Sequence, residues 1–114
     1  MVASQGDVVW AELPEPDGSG PGFRRPVVII QGNALNRSHL ATVLCVPLTT
    51  NLKWANAPGN VLLKARLTGL RRDSVANVSQ VVAIDRSFLD ARVGHLSRAQ
   101  VDLIFAGLDV VLGR

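Results

Sequence analysis

The sequence predicts a mostly β chain with helices, an α+β fold in which a small antiparallel sheet or half-open barrel carries a C-terminal α-helix. Three observations lead there. Short apolar segments rich in Val, Ile and Leu recur between residues 7 and 84, separated by stretches containing Pro, Gly, Asn or Thr, the pattern of strands and turns. One stretch near the C-terminus switches to helical periodicity, as a helix packed by one face requires. The chain has 114 residues, 47% of them hydrophobic, which is room for one core, so a single domain over residues 1–114 is expected.

Taken in order, residues 7–13 form a mostly apolar segment closed by Pro14, which marks a first strand. Residues 14–22 are rich in Pro and Gly and read as a loop. Residues 26–31 are apolar and β-branched, which suits a strand buried on both faces with Pro26 at its first position, where a missing donor matters least. Residues 42–48 repeat that character, and Pro47 marks an edge, a bulge or the exit of the strand. A second loop from Thr49 to Gly59 holds Trp54 and Pro58, and residues 60–63, 74–78 and 80–84 supply further strands. The closing helix starts at a capping-box pair, Ser97 and Gln100, and ends at Gly113. Val101, Ile104, Phe105, Leu108, Val111 and Leu112 recur on one face of it, which reads as core packing.

Composition excludes several classes. With 18% charged residues the chain is not disordered by charge. Its longest apolar runs, around Val27 to Ile30 and Val43 to Leu48, fall far short of the roughly 20 residues that span a bilayer. No secretory signal pattern opens the chain, so a cytoplasmic location and no membrane partner are expected. The one cysteine, Cys45, lies in an apolar run and reads as a small buried hydrophobe. Charge is unevenly placed: residues 18–72 hold eight bases and no acid, and ten of the twelve bases are Arg. A polyanion is the natural partner of such a segment, because the guanidinium fork grips phosphate in pairs of hydrogen bonds; the plain alternative is a solvated basic face.

Elimination leaves little conventional catalysis. His39 and His95 are the only histidines, and with a single Cys no zinc spacing exists. The glycines at 18, 20 and 22 lie between strands and lack the Gly-Lys-Ser/Thr ending of a phosphate loop. No nucleophile elbow is present. RNA offers another route, because its 2′-hydroxyl attacks the neighbouring phosphate and the protein need only position it, neutralise charge and move protons.

The residues then show a family resemblance. Gly6-Asp7-Val8-Val9-Trp10-Ala11-Glu12-Leu13, a Pro/Gly loop and Arg24-Arg25-Pro26-Val27-Val28-Ile29-Ile30-Gln31 resemble the opening of MazF/PemK toxins. Thr42-Val43-Leu44-Cys45-Val46-Pro47-Leu48-Thr49-Thr50-Asn51 and Arg72-Asp73-Ser74-Val75-Ala76-Asn77-Val78-Ser79-Gln80 resemble later segments of that family. The resemblance implies an SH3-like barrel of the CcdB–MazF type. It implies a homodimeric, sequence-specific mRNA interferase that cleaves single-stranded RNA without metal or cofactor, leaves 2′,3′-cyclic phosphate and 5′-hydroxyl ends, and arrests translation and growth. It also implies a cognate antitoxin that inhibits through a flexible acidic tail.

By the same resemblance the catalytic positions are Arg25, as an electrostatic clamp, and Thr49, as a hydrogen-bonding hydroxyl. A surface salt bridge and a turn cap are the structural readings of these two. Arg24, Asn36, Arg37, Ser74, Gln80 and Trp54 are further RNA-contact candidates, each also readable as an ordinary polar or loop residue. The chain departs from the family at Gly18-Ser19-Gly20, where relatives carry Gly-Ser-Glu. That leaves proton transfer to Thr49, water, a histidine such as His39, or the RNA. Two rivals are a gyrase-binding toxin of the CcdB kind, whose relatives end Trp-Gly-Ile where this chain ends Leu112-Gly113-Arg114, and a passive RNA-binding module.

Overall fold

A computed structural model describes residues 3–13 and 23–114; the loop expected over 14–22 and the Gly18-Ser19-Gly20 departure lie outside the described residues. Within them, seven strands form one antiparallel sheet: β1 (Asp7–Leu13), β2 (Phe23–Ile29), β3 (Thr42–Thr49), β4 (Val61–Leu63), β5 (Ser74–Ala76), β6 (Val82–Asp85) and β7 (Leu89–His95). Their order is β4-β5-β3-β2-β1-β7, with β6 also paired to β3. Two one-turn helices, α1 (Asn33–Asn36) and α2 (Ala65–Thr68), and three 3-10 turns fill the connections, and α3 (Arg98–Leu112) closes the chain. The result is the expected half-barrel with a C-terminal helix.

Both faces of the central strands are packed. Val27 and Ile29 of β2 join Val9, Ala11, Val43 and Cys45 in one apolar cluster, while Val28 and Ile30 join Val46, Leu48, Val101 and Ile104 in another. Alternation along a strand explains why neighbours enter different clusters, and it bears out β2 as a strand buried on both faces. α3 covers the second cluster. Its start is fixed where Ser97 Oγ accepts the Gln100 N–H at 3.3 Å, and its end where Gly113 adopts φ 72°, a cap and a stop that together contribute about 1 kcal/mol or more. Burying Val101 and Ile104 contributes roughly 1.5–3 kcal/mol each.

The structure corrects several boundaries. Pro26 is the fourth residue of β2, not its first. Residues 78–80 form a 3-10 turn between β5 and β6 rather than strand, so Gln80 begins no strand. β7 has no counterpart in the sequence reading. On α3, Val111 and Leu112 are 41% and 64% exposed, so the apolar stripe outruns the core. Two glycine contacts shape the closure. A Cβ on Gly107 of α3 would run into the Gly59 carbonyl, and one on Gly94 of β7 would run into the Thr68 carbonyl at the end of α2.

Candidate active site

β2 and β3 separate like a fork. Their ladder pairs Ile29 with Cys45, Val28 with Val46 and Val27 with Pro47, and stops there. Continued by two residues, the same register would set Arg25 opposite Thr49. Proline lacks the N–H a ladder needs, and here Pro26 follows on one strand while Pro47 closes the last pair on the other. Beyond the fork β2 stays with β1 as far as Phe23, and β3 passes to β5, pairing Leu48 with Ala76 and Thr49 with Val75.

The gap is a cleft of about 510 Å³. Arg25, Thr49 and Ser74 line it from the strands, Trp10 and Arg24 from the β1–β2 side, and Leu70, Arg71 and Arg72 from the segment after α2. Four arginines therefore converge, and no Asp, Glu or His lies among the described lining residues. They are not equivalent. Arg24 Nη1 donates to Asp90 Oδ2 at 2.8 Å and Glu12 Oε1 at 3.2 Å, and its guanidinium lies 5.1 Å over the Trp10 ring. Asp90 first and Glu12 second raise its pKa further above the usual arginine value. Arg25, Arg71 and Arg72 have no ion pair among the described residues. Arg25 Nε is buried and has no hydrogen-bond partner there either.

Thr49 Oγ1 accepts the Asn51 N–H at 3.2 Å, which leaves the hydroxyl hydrogen available to donate. Ser74 is 1% exposed and its hydroxyl reaches the Arg72 carbonyl only at 3.5 Å. Asp73, beside the Arg71-Arg72 rim, accepts the Ala65 N–H at 2.8 Å and pairs with Lys64 at 3.5 Å. The backbone bond, more than Lys64, holds its carboxyl below the usual aspartate value. The rim is thus tied to the first residue of α2.

Of the sequence candidates, Arg25, Thr49, Arg24 and Ser74 share the cleft, and four others lie outside it. Asn36 is a correction: it is 2% exposed, its amide donates to the Gln31 carbonyl at 2.9 Å and its oxygen accepts from Gln31 Nε2 at 3.0 Å, so its polar groups are spent inside the fold. Arg37 is exposed at the end of α1. Gln80 accepts from Asn77 Nδ2 at 3.0 Å. Trp54 sits in the 3-10 turn Leu52–Asn56 with Lys53 at 5.3 Å over its ring. His39 is exposed outside the cleft, and His95 serves structure, with Nδ1 at 2.8 Å from the buried carboxylate of Asp7. Trp10, Arg71 and Arg72 are cleft residues outside the sequence candidates; Trp10 and Arg72 stand in segments that resemble the family, and Arg71 only in the basic segment. No group of three or more His, Cys, Asp or Glu among the described residues is placed to hold a metal ion. No helix among them is long and apolar enough to cross a membrane.

A small curled sheet whose parted strands hold an arginine-rich cleft defines a compact domain built to receive an anionic ligand. The chain belongs to the PemK-like, MazF-like toxins of type II toxin–antitoxin systems, whose family model matches residues 4–112. It is 43% identical over 112 residues to Endoribonuclease MazF6 of Mycobacterium tuberculosis, covering 98% of each chain. It superposes on the crystal structure of MazF from Deinococcus radiodurans with a TM-score of 0.84, at 23% identity, over 100% of this chain and 99% of that one. A mycobacterial endoribonuclease in complex with its cognate antitoxin matches at a TM-score of 0.72 and 25% identity, over 98% and 94% of the two chains.

Proposed function

We propose that the protein is the toxin of a type II toxin–antitoxin pair and acts as a sequence-specific, metal-independent endoribonuclease on single-stranded RNA. The observation that carries this reading is Arg25, whose Nε is buried without a partner among the described residues in a cleft that also holds Thr49. An unpaired buried donor is unfavourable by about 1–3 kcal/mol; a phosphate oxygen is the group that would satisfy it. The RNA 2′-oxygen attacks the adjacent phosphorus, the bond from phosphorus to the 5′-oxygen breaks, and a 2′,3′-cyclic phosphate and a 5′-hydroxyl result. The 2′ proton leaves to water and the 5′-oxygen gains one. Arg25 stabilises the charge on the pentavalent phosphorus, and Thr49 donates to a non-bridging oxygen. Arg25 is no general base, since a guanidinium offers donors and no acceptor.

The name of the M. tuberculosis relative supports the ribonuclease activity, and the antitoxin in the mycobacterial complex supports an antitoxin partner; unpaired cleft arginines suit its acidic tail. A homodimer belongs to the proposal as the family resemblance implies it, and α3 leaves Leu103 (50%), Val110 (57%) and Leu112 (64%) exposed for such a contact. Growth arrest through cut messages and a cytoplasmic location complete the proposal.

The test is incubation with a long single-stranded RNA in EDTA, followed by mapping of cuts and end groups. Cuts at one short motif with cyclic phosphate ends, absent from Arg25→Ala and Thr49→Ala, are expected. Retained cleavage by either folded variant contradicts that residue's role. No cutting by the folded wild type points to gyrase inhibition or passive RNA binding.

A further inference from the structure

Among the described residues, three of the four cleft arginines have no ion pair, and one does. Arg24 faces two carboxylates, Glu12 at 3.2 Å and Asp90 at 2.8 Å, so the local group of three bears a net negative charge. A phosphate brought to Arg24 would meet both carboxylates as well. Both ion pairs run through Nη1 and fix the guanidinium over the Trp10 indole at 5.1 Å. The two residues come from adjoining strands whose register sets Trp10 opposite Pro26 and Glu12 opposite Arg24. The result is a pre-oriented surface on the wall of the cleft, an indole with a guanidinium over it whose charge is already matched by carboxylates.

Such a surface suits a neutral π-system. Nucleobases stack on indole and guanidinium planes, and the attraction needs no net charge. Alternation along β2 sets Arg24 and Pro26 on the sheet face of Val28, and Arg25 on the face of Val27, where Thr49 also falls by the alternation of β3. The fork lets both sets line one cleft.

We propose that the Trp10–Arg24 stack is a base-binding shelf, which holds a nucleobase of single-stranded RNA beside the phosphate that Arg25 receives, while Arg71 and Arg72 hold flanking phosphates. Arg24 is then a positioning residue held by Glu12 and Asp90, not a phosphate clamp. This rests on the ribonuclease reading above.

The test measures binding of two probes over a range of salt: a random-sequence pool of short 2′-O-methyl RNA, which has no attacking hydroxyl, and inorganic polyphosphate, which has no bases. Arg24→Lys keeps the charge and removes the plane. It is expected to weaken RNA binding about five- to a hundred-fold and to leave both the salt slope and polyphosphate binding unchanged. Glu12→Gln with Asp90→Asn exposes the cation and is expected to tighten polyphosphate binding. A loss of similar size on both probes would show a phosphate clamp and overturn the proposal, as would unchanged RNA binding. A readout on an unaltered cleft guards against a misfolded Arg24 variant. With Trp54 replaced by Phe, Trp10 is the one remaining tryptophan of two, and its fluorescence is expected to change with the RNA pool and not with polyphosphate. Wild-type protein that cuts RNA while Trp10 stays silent overturns the shelf alone. Wild-type protein that neither binds nor cuts RNA overturns the ribonuclease reading and the shelf with it.

Discussion

Replacing Arg25 with Met should make the protein more stable and inactive. The Met side chain keeps an apolar stem of similar reach and removes the buried, unpartnered Nε. Leaving such a donor buried is unfavourable by about 1–3 kcal/mol. Arg25 is only half-buried, so the lower end, about 1 kcal/mol, is the appropriate gain, with a smaller contribution from relieved repulsion by Arg71 and Arg72 across the same cleft. A chain of 114 residues unfolds with an entropy near 2.1 cal/mol/K per residue, so 1 kcal/mol raises Tm by about 4 °C. Removing the principal charge stabiliser of a phosphoryl transition state should lower kcat by about 100-fold or more. Calorimetry at low and high salt, paired with cleavage of a mapped RNA, reads both effects. A Tm that falls by several degrees would refute the reasoning, because the guanidinium would then be held by a partner in the folded protein and serve as a structural ion pair.

Three further outcomes follow from packing and titration. Gly107→Ala drives a Cβ into the Gly59 carbonyl and should lower stability by about 1–3 kcal/mol, seen as a reduced urea midpoint at constant m; an unchanged midpoint would show that α3 shifts freely. Burial pushes the Cys45 thiol from 9.0 up to about 12, so it should resist alkylation in the folded protein at pH 8 and react once unfolded. Because the folded value is raised, that contribution to stability is complete below 9.0 and declines as pH rises towards about 12. The Asp73 carboxyl is held low by the Ala65 N–H, so its contribution is present above the unfolded value near 3.9 and is lost as pH falls through the lower folded value. The Tm difference between wild type and Asp73→Asn should therefore shrink below about pH 4; a constant difference would show that Asp73 acts by packing alone.

What could be read from the sequence depended on how locally each feature is determined. β1 and α3 fall where their residues put them, because an apolar run closed by Pro14 and the Ser97, Gln100 and Gly113 caps are local signals. β7 is invisible in sequence for a physical reason: among the described residues it pairs only with β1, through two register irregularities, and its residues are exposed or half-exposed, so no clean alternation survives. Pro26 was misplaced because a proline inside a strand requires an unpaired neighbour, and that β3 leaves β2 at Val27 is a tertiary fact. The same limit applies to the site. Arg25 and Thr49 were found through family resemblance, while Trp10 and Arg71 enter the cleft only because separate elements meet there. Asn36 misled because a loop amide turned towards a ligand and one bonded to Gln31 look alike in sequence.

The fork ties the fold to the proposed chemistry. A ladder continued past Val27 and Pro47 would set Arg25 and Thr49 at the spacing of paired strand residues, about 4.5–5.5 Å between Cα atoms, with no room between the strands for a ligand. Pro26 lacks the N–H that the next β2–β3 pair would need, and the Pro47 carbonyl already accepts the Asn77 N–H at 3.0 Å on the β5 side, so β3 turns to β5 and space opens where the two side chains would have met. The cleft walls are nonetheless strands, anchored on Val27, Val46 and Leu48, all at most 1% exposed. Stabilising a charge that exists only in a transition state requires groups already in place, because reorganisation during the reaction forfeits the gain. Parting two packed strands places a cation and a hydroxyl on rigid supports. The unsatisfied Nε of Arg25 is the local strain that this arrangement retains.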